Sequence, residues 1–128
     1  AGPLGAIAIG AISSLLCYYF ATTVKHKFGY DDSLDVFGVH GIGGIVGAIL
    51  TGVFAAEQFG GAGMEHGLIQ TQVWYQTLSV LVTIAWSGIV SIVAYIIVNQ
   101  LVGMRVTVET EQMGLDLTEH QEQAYDLV

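Results

Sequence analysis

The amino-acid sequence predicts an all-α fold, a polytopic bundle of membrane-spanning helices, and three observations carry that prediction. Hydrophobic residues make up 53% of the 128 residues and charged residues only 11%, whereas soluble domains carry about a quarter charged residues. The few charges are bunched between long uncharged tracts, and an apolar run of about 18 or more residues reads as a helix that crosses a bilayer. Three such tracts follow one another along the chain.

The first tract, Pro3 to Val24, contains no charged residue, and its span is placed at 3–24. The second, 36–56, holds a single ionisable side chain, His40. The third is uncharged from Val73 to Met104, with the span placed at 73–101. At about 1.5 Å rise per residue it exceeds a roughly 30 Å hydrocarbon core, so it must tilt or project beyond it. Residues 1–104 are therefore read as the transmembrane region and 105–128 as a cytoplasmic tail. The chain opens on Ala1 with no basic, short-apolar, cleavable leader, so a fragment without a signal peptide is expected.

Three crossings put Lys25, Lys27 and Arg105, which are all the lysines and arginines, on one side of the bilayer. Basic residues near helix ends favour the cytoplasm, so the 57–72 loop is expected to face outward. Tyr18, Tyr19 and Phe20 at the inner end of the first span, and Trp74 and Tyr75 at the outer start of the third, fit interfacial anchors. Gly60, Gly61, Gly63 and Gly67 give the outer loop turn chemistry. Most of the net charge of -8 comes from the region after Val106. Nucleic acid is excluded as a partner, because three basic side chains cannot neutralise enough phosphates.

His40 is the first functional candidate, since an ionisable group inside a membrane span is costly. Positions three, four, seven and eleven residues onward are Gly43, Gly44, Gly47 and Thr51, all small. Such a face either lets another helix approach, with Gly43 to Gly47 as a small-xxx-small packing motif, or leaves room for something small to pass the imidazole. His40 is accordingly a hydrogen-bonded structural histidine or a pore and proton-relay residue. Haem ligation by two histidines lacks a partner at matching depth, because His26 and His66 lie outside the spans on opposite sides. A narrow apolar passage suits ammonia better than ammonium, which would pay a large desolvation cost there.

Asp31, Asp32 and Asp35 precede the second span. They start the helix by capping backbone N–H groups and favouring the positive end of its dipole, or they anchor the inner mouth or the tail. The third span carries Tyr75, Ser79, Thr83, Ser87, Ser91, Tyr95 and Asn99 four residues apart. That ridge drifts around the helix and reads as an interhelical contact surface. Cys17 reads as a small buried hydrophobe. The tail, with Glu109, Glu111, Asp116, Glu119, Glu122 and Asp126, reads as a solvated or partner-ordered segment, and Thr118 as an exposed residue open to phosphorylation. No enzymatic activity, metal or cofactor is expected.

The stretch Asp31-Asp-Ser-Leu-Asp-Val-Phe-Gly-Val-His-Gly-Ile-Gly-Gly-Ile-Val-Gly47, continuing through Thr51-Gly-Val-Phe-Ala55, resembles the penultimate transmembrane helix of the ammonium transporter family. Trp86-Ser-Gly88, Gly103-Met-Arg-Val106, Glu109, Glu111, Gly114-Leu-Asp116, His120 and Ala124-Tyr125 are similar to the same family's last helix and cytoplasmic segment. The resemblance covers essentially the whole chain and only the final three helices and tail of an eleven-helix fold.

The resemblance implies a homotrimer in the lipid bilayer, each protomer with its own pore between two inverted, pseudo-symmetric halves. It implies that ammonium is deprotonated and ammonia conducted past a pair of pore histidines that touch ring to ring and relay the proton. His40 falls on the second of that pair. Val36 would border the inner part of the pore, Asp32 would support the inner helix end, and Asp35 would help dock the loop or tail. The tail resembles a regulatory segment that contacts a neighbouring protomer, and a PII-type signalling protein is an implied partner. Thr118 sits where plant relatives carry a phosphorylatable threonine. The first pore histidine, the aromatic gate and the outer ammonium-recruiting residues belong to upstream helices, so this polypeptide alone is not expected to transport. A Rhesus-type gas channel, an ammonium sensor signalling through its tail with an added domain after Val128, and a membrane cytochrome are the competing readings.

Overall fold

The computed structural model describes residues 1–64 and 67–122. Glu65, His66 and residues 123–128, which include Ala124, Tyr125 and Asp126, lie outside the described residues. Among the described residues every regular element is helical. Three helices are long and apolar enough to cross a membrane: α1 (Pro3–Phe28), α2 (Val36–Phe54) and α3 (Ile69–Leu101). A short α4 (Val108–Met113) follows.

Helix α1 opens with proline in its first turn, where the missing N–H costs nothing and the fixed φ already suits a helix. It runs past the uncharged tract to a last turn, Lys25–Phe28, where the positive charges of Lys25 and Lys27 suit the negative end of the dipole. Gly29, at φ 61°, ends it in the left-handed conformation and donates its N–H to the Lys25 carbonyl at 2.8 Å. Helix α2 ends at Phe54, and the chain then makes one tight helical turn, Glu57–Phe59.

The chain divides into two compact units, Ala1–Ala85 and Trp86–Val128. Within the first, α1 and α2 form an antiparallel hairpin whose register is set by small residues. A Cβ built on Gly5 would stand 3.2 Å from Phe54, one on Gly43 would stand 3.2 Å from the Cys17 sulfur, and one on Gly38 would stand 3.1 Å from Ala21. Glycine or alanine at each crossing lets the two backbones come together, which is how helices associate where apolar contact alone gives little preference. Phe54 and Phe59 stack edge to face at the end of the hairpin where Gly5 meets Phe54, with ring centroids 5.5 Å apart. Phe37 makes edge-to-face contacts with Phe20 and Tyr30 at the other end, with ring centroids 6.4 and 5.8 Å apart.

Both helices of the hairpin loosen into π-helical turns, at Phe20–Val24 in α1 and at Val36–Gly41 in α2. The two turns are in contact through Ala21 and Gly38. On its other side α2 touches the start of α3 at Gly52, where a Cβ would stand 3.3 Å from the Val73 backbone. Away from that point the helices part, and a groove of about 480 Å³ opens between Gly44, Ile45 and Ala48 on α2 and Ser79, Val80 and Thr83 on α3.

Buried hydrophobic residues are few, with Ile42 and Ala56 the ones below a tenth exposed among the described residues. Helix α3 buries none of its 33 residues. A helix apolar all round and left bare needs lipid or other protein to cover it, the signature of a membrane span rather than of a soluble core. This is the all-α architecture of part of a polytopic membrane helix bundle.

In the second unit, Asn99 near the end of α3 accepts the Met104 N–H at 3.2 Å. Helix α4 is capped by Thr107, whose hydroxyl accepts the Thr110 N–H at 3.3 Å. Arg105 pairs with Glu111 at 3.3 Å, and a π-helical turn, Asp116–His120, closes the described tail.

Candidate functional site

His40 lies on the π-helical first segment of α2, and its side chain is exposed on the surface of the hairpin. The residues that follow it along the helix separate into two environments. Gly43 turns toward α1 and packs against Cys17. Gly44 and Gly47 meet open space instead: among the described residues, nothing beyond their chain neighbours and the backbone of their own helix lies within 4 Å of an added Cβ. Thr51, farther along, is exposed, and its hydroxyl folds back onto the Gly47 carbonyl at 2.7 Å. His40, Gly44, Gly47 and Thr51 therefore form one open, small-residue strip along α2, while Gly43 belongs to the helix crossing. Gly44 also borders the groove toward α3.

The π-helical turn matters because an i→i+5 turn inserts a residue into the helix and re-aims the side chains within it, a feature frequent at functional sites. Two groups stabilise it. The Cys17 thiol donates to the Val39 carbonyl at 3.5 Å, directly beside His40. At the start of the helix the Asp32 carboxylate accepts the N–H groups of Val36, Phe37 and Gly38, at 2.8, 3.0 and 3.4 Å. These are the first amides of α2, which have no partner within the helix, and a carboxylate there also meets the positive end of the dipole.

Asp35 occupies the N-cap position in the left-handed conformation, φ 53° and ψ 32°, and makes no cap with its own side chain. Its carboxylate turns back to α1, where Lys25 Nζ donates to Oδ1 at 2.7 Å. The same ammonium donates to the Asp32 backbone carbonyl at 2.6 Å. Asp32 and Asp35 thus divide the work: one carboxylate caps α2, the other ties the turn to α1. Val36, the first residue of the helix, is about half exposed (52%).

Lys25 and Gly38 are absent from the sequence-derived candidates. In the sequence Lys25 marks only the side of the bilayer, although a lysine ending an uncharged helix just before a run of aspartates is a visible cue for the ion pair it makes with Asp35. Gly38 is buried against the α1 backbone and carries no signal beyond its place in the motif. Along the polar ridge of α3, Thr83 bonds the Ser79 carbonyl at 2.9 Å within its own helix. Thr118, in the tail and part-buried, donates to the Gly114 carbonyl at 2.8 Å.

Residues 1–125 match the model of the Ammonium Transporter Family. The chain is 48% identical over 125 residues to an ammonium transporter of Aquifex aeolicus, covering 97% of this chain and 29% of that protein. It is 42% identical over 126 residues to one from Bacillus subtilis, covering 96% of this chain and 31% of that protein. It is 38% identical over 122 residues to one from Archaeoglobus fulgidus, covering 94% of this chain and 31% of that protein. The chain thus spans under a third of the length of the curated relatives it matches. With the family model matched along nearly its whole length and helices to suit, the chain belongs to the ammonium transporter family.

Proposed function

We propose that this chain supplies one side of an ammonia-conducting pore in an ammonium transporter, with His40 as one member of a histidine pair that relays the proton removed from ammonium. The observation that carries the reading is the open strip of α2. An exposed imidazole is followed outward by two glycines with free space above them, in a helix otherwise rich in apolar residues. A second helix laid against that strip would leave a corridor wide enough for a small neutral base and costly for a bare cation. The relatives are named ammonium transporters, which supports the substrate.

In this reading Val36 borders the inner part of the pore, Asp32 holds the helix end that presents His40, and Asp35 fixes the inner loop. The protein is a multi-pass membrane homotrimer with the tail in the cytoplasm. The tail regulates flux through contact with a neighbouring protomer or a PII-type signalling protein, and Thr118 is its modification site.

The test is replacement of His40 by alanine in the full-length protein containing this chain, reconstituted in liposomes. A proton-relay role predicts a loss of substrate-linked current of about a hundred-fold, with trimers intact. Wild-type current and selectivity in that variant would exclude the relay.

A further inference from the structure

We infer that Lys25 is a positioning residue for His40: its ammonium pins the Asp32–Asp35 turn to α1 and so sets where the π-helical start of α2 begins. The inference rests on the reading of His40 as a relay residue, but its geometry is independent of that reading.

Each link is a named contact. Lys25 Nζ reaches two groups at opposite ends of the turn, the Asp32 carbonyl at 2.6 Å and the Asp35 carboxylate at 2.7 Å. The turn is closed by the Asp35 N–H on the same Asp32 carbonyl at 3.1 Å. Asp35 is held at φ 53°, a left-handed conformation that is costly for most residues with a Cβ and that aspartate tolerates better than most. From that residue α2 departs: the Asp35 carbonyl accepts the Val39 N–H at 2.8 Å, immediately before His40. The Asp32 side chain, fixed by the same turn, caps Val36, Phe37 and Gly38.

The aim of Lys25 depends in turn on the π-helical turn Phe20–Val24 that directly precedes it. The extra residue in that turn rotates everything after it relative to a regular α-helix. The Lys25 side chain is only 23% exposed, so it is held in place rather than swinging free in solvent. A charged hydrogen bond to a carboxylate and a second to a carbonyl use its donors as a clamp between two helices.

The experiment compares Lys25→Met and Lys25→Arg with the unaltered protein, in the full-length transporter reconstituted in liposomes. Maximal current, half-saturating ammonium concentration and amide hydrogen exchange at Val36–Gly38 are read on the same preparations. In Lys25→Met, assembled trimers should lose about ten-fold in maximal current, because the relay group is misplaced rather than removed, with half-saturation unchanged. Exchange at Val36–Gly38 should rise about five-fold as the cap loosens. Lys25→Arg, which keeps charge and donors, should restore both. Wild-type current with wild-type protection in Lys25→Met overturns the inference, and so does a lost current with unchanged protection. If Lys25→Met does not assemble, Asp35→Asn, which keeps the shape and removes the charge, carries the same expectations. His40→Ala run in parallel separates the two readings: normal current there sinks the relay, whereas faster exchange in Lys25→Met still supports the clamp.

Discussion

Gly38 of α2 lies against Ala21 of α1 so closely that a Cβ on Gly38 would stand 3.1 Å from both the Ala21 Cα and its amide nitrogen. Both residues sit in π-helical turns, so the two helices meet backbone to backbone where each is locally widened. The contact sits at the end of the hairpin where the Asp32 cap, the Lys25–Asp35 pair and His40 gather.

The obstructing atoms at Gly38 are the Ala21 Cα, amide nitrogen and Cβ, and none of them can rotate away as the far end of a longer side chain would. Gly38→Ala should therefore spread the hairpin, costing on the order of 1–3 kcal/mol as an overpacking change. Gly38→Val, larger and β-branched, should cost more. Thermal unfolding of the detergent-solubilised transporter checks this ordering, and a Gly38→Val protein as stable as the parent would contradict it.

Asp32 separates capping from charge. Asp32→Ala removes the acceptor for the Val36, Phe37 and Gly38 amides and should destabilise by about 0.5–2 kcal/mol. Asp32→Asn keeps an acceptor oxygen but not the charge that favours the dipole, so it should fall between the two. Melting temperatures of the three proteins give the order. An Asn variant no better than the alanine one would mean that charge, not hydrogen bonding, holds the helix start.

The three spans were legible because the absence of charge over a long tract is a property of composition, and α1, α2 and α3 each contain or overlap one of those tracts. Their ends were less so. Helix α1 continues to Phe28 because a lysine-rich last turn is compatible with a helix that leaves the bilayer, and α3 starts at Ile69 because uncharged polar residues begin a helix as readily as a loop. The glycines show a different limit. Gly43, Gly44 and Gly47 read as one small face, yet successive residues on a helix are about 100° apart, so Gly43 packs on Cys17 while Gly44 stays open. The π-helical turns have no composition signature at all, since they differ from α-helix only in which carbonyl each amide selects. The Lys25 to Asp35 pair bridges a loop, where neither helical nor strand periodicity applies.

The tail carries a sharper test of its own. Thr118 donates its hydroxyl to the Gly114 carbonyl at 2.8 Å, and its amide reaches the same oxygen at 3.2 Å. Thr118→Glu replaces that donor with a carboxylate, which can only repel the carbonyl and the nearby acids Asp116 and Glu119. The Asp116–His120 turn should open, and proteolysis or amide exchange at 114–120 should quicken by about five-fold. Thr118→Val tests the hydroxyl alone: it removes one hydrogen bond, worth about 1 kcal/mol, without adding charge. If the glutamate variant opens the tail and changes transport while the valine variant does neither, added negative charge is the effective element, as a phosphorylation switch requires. If both leave exchange and transport as they were, Thr118 holds neither the turn nor a regulatory role.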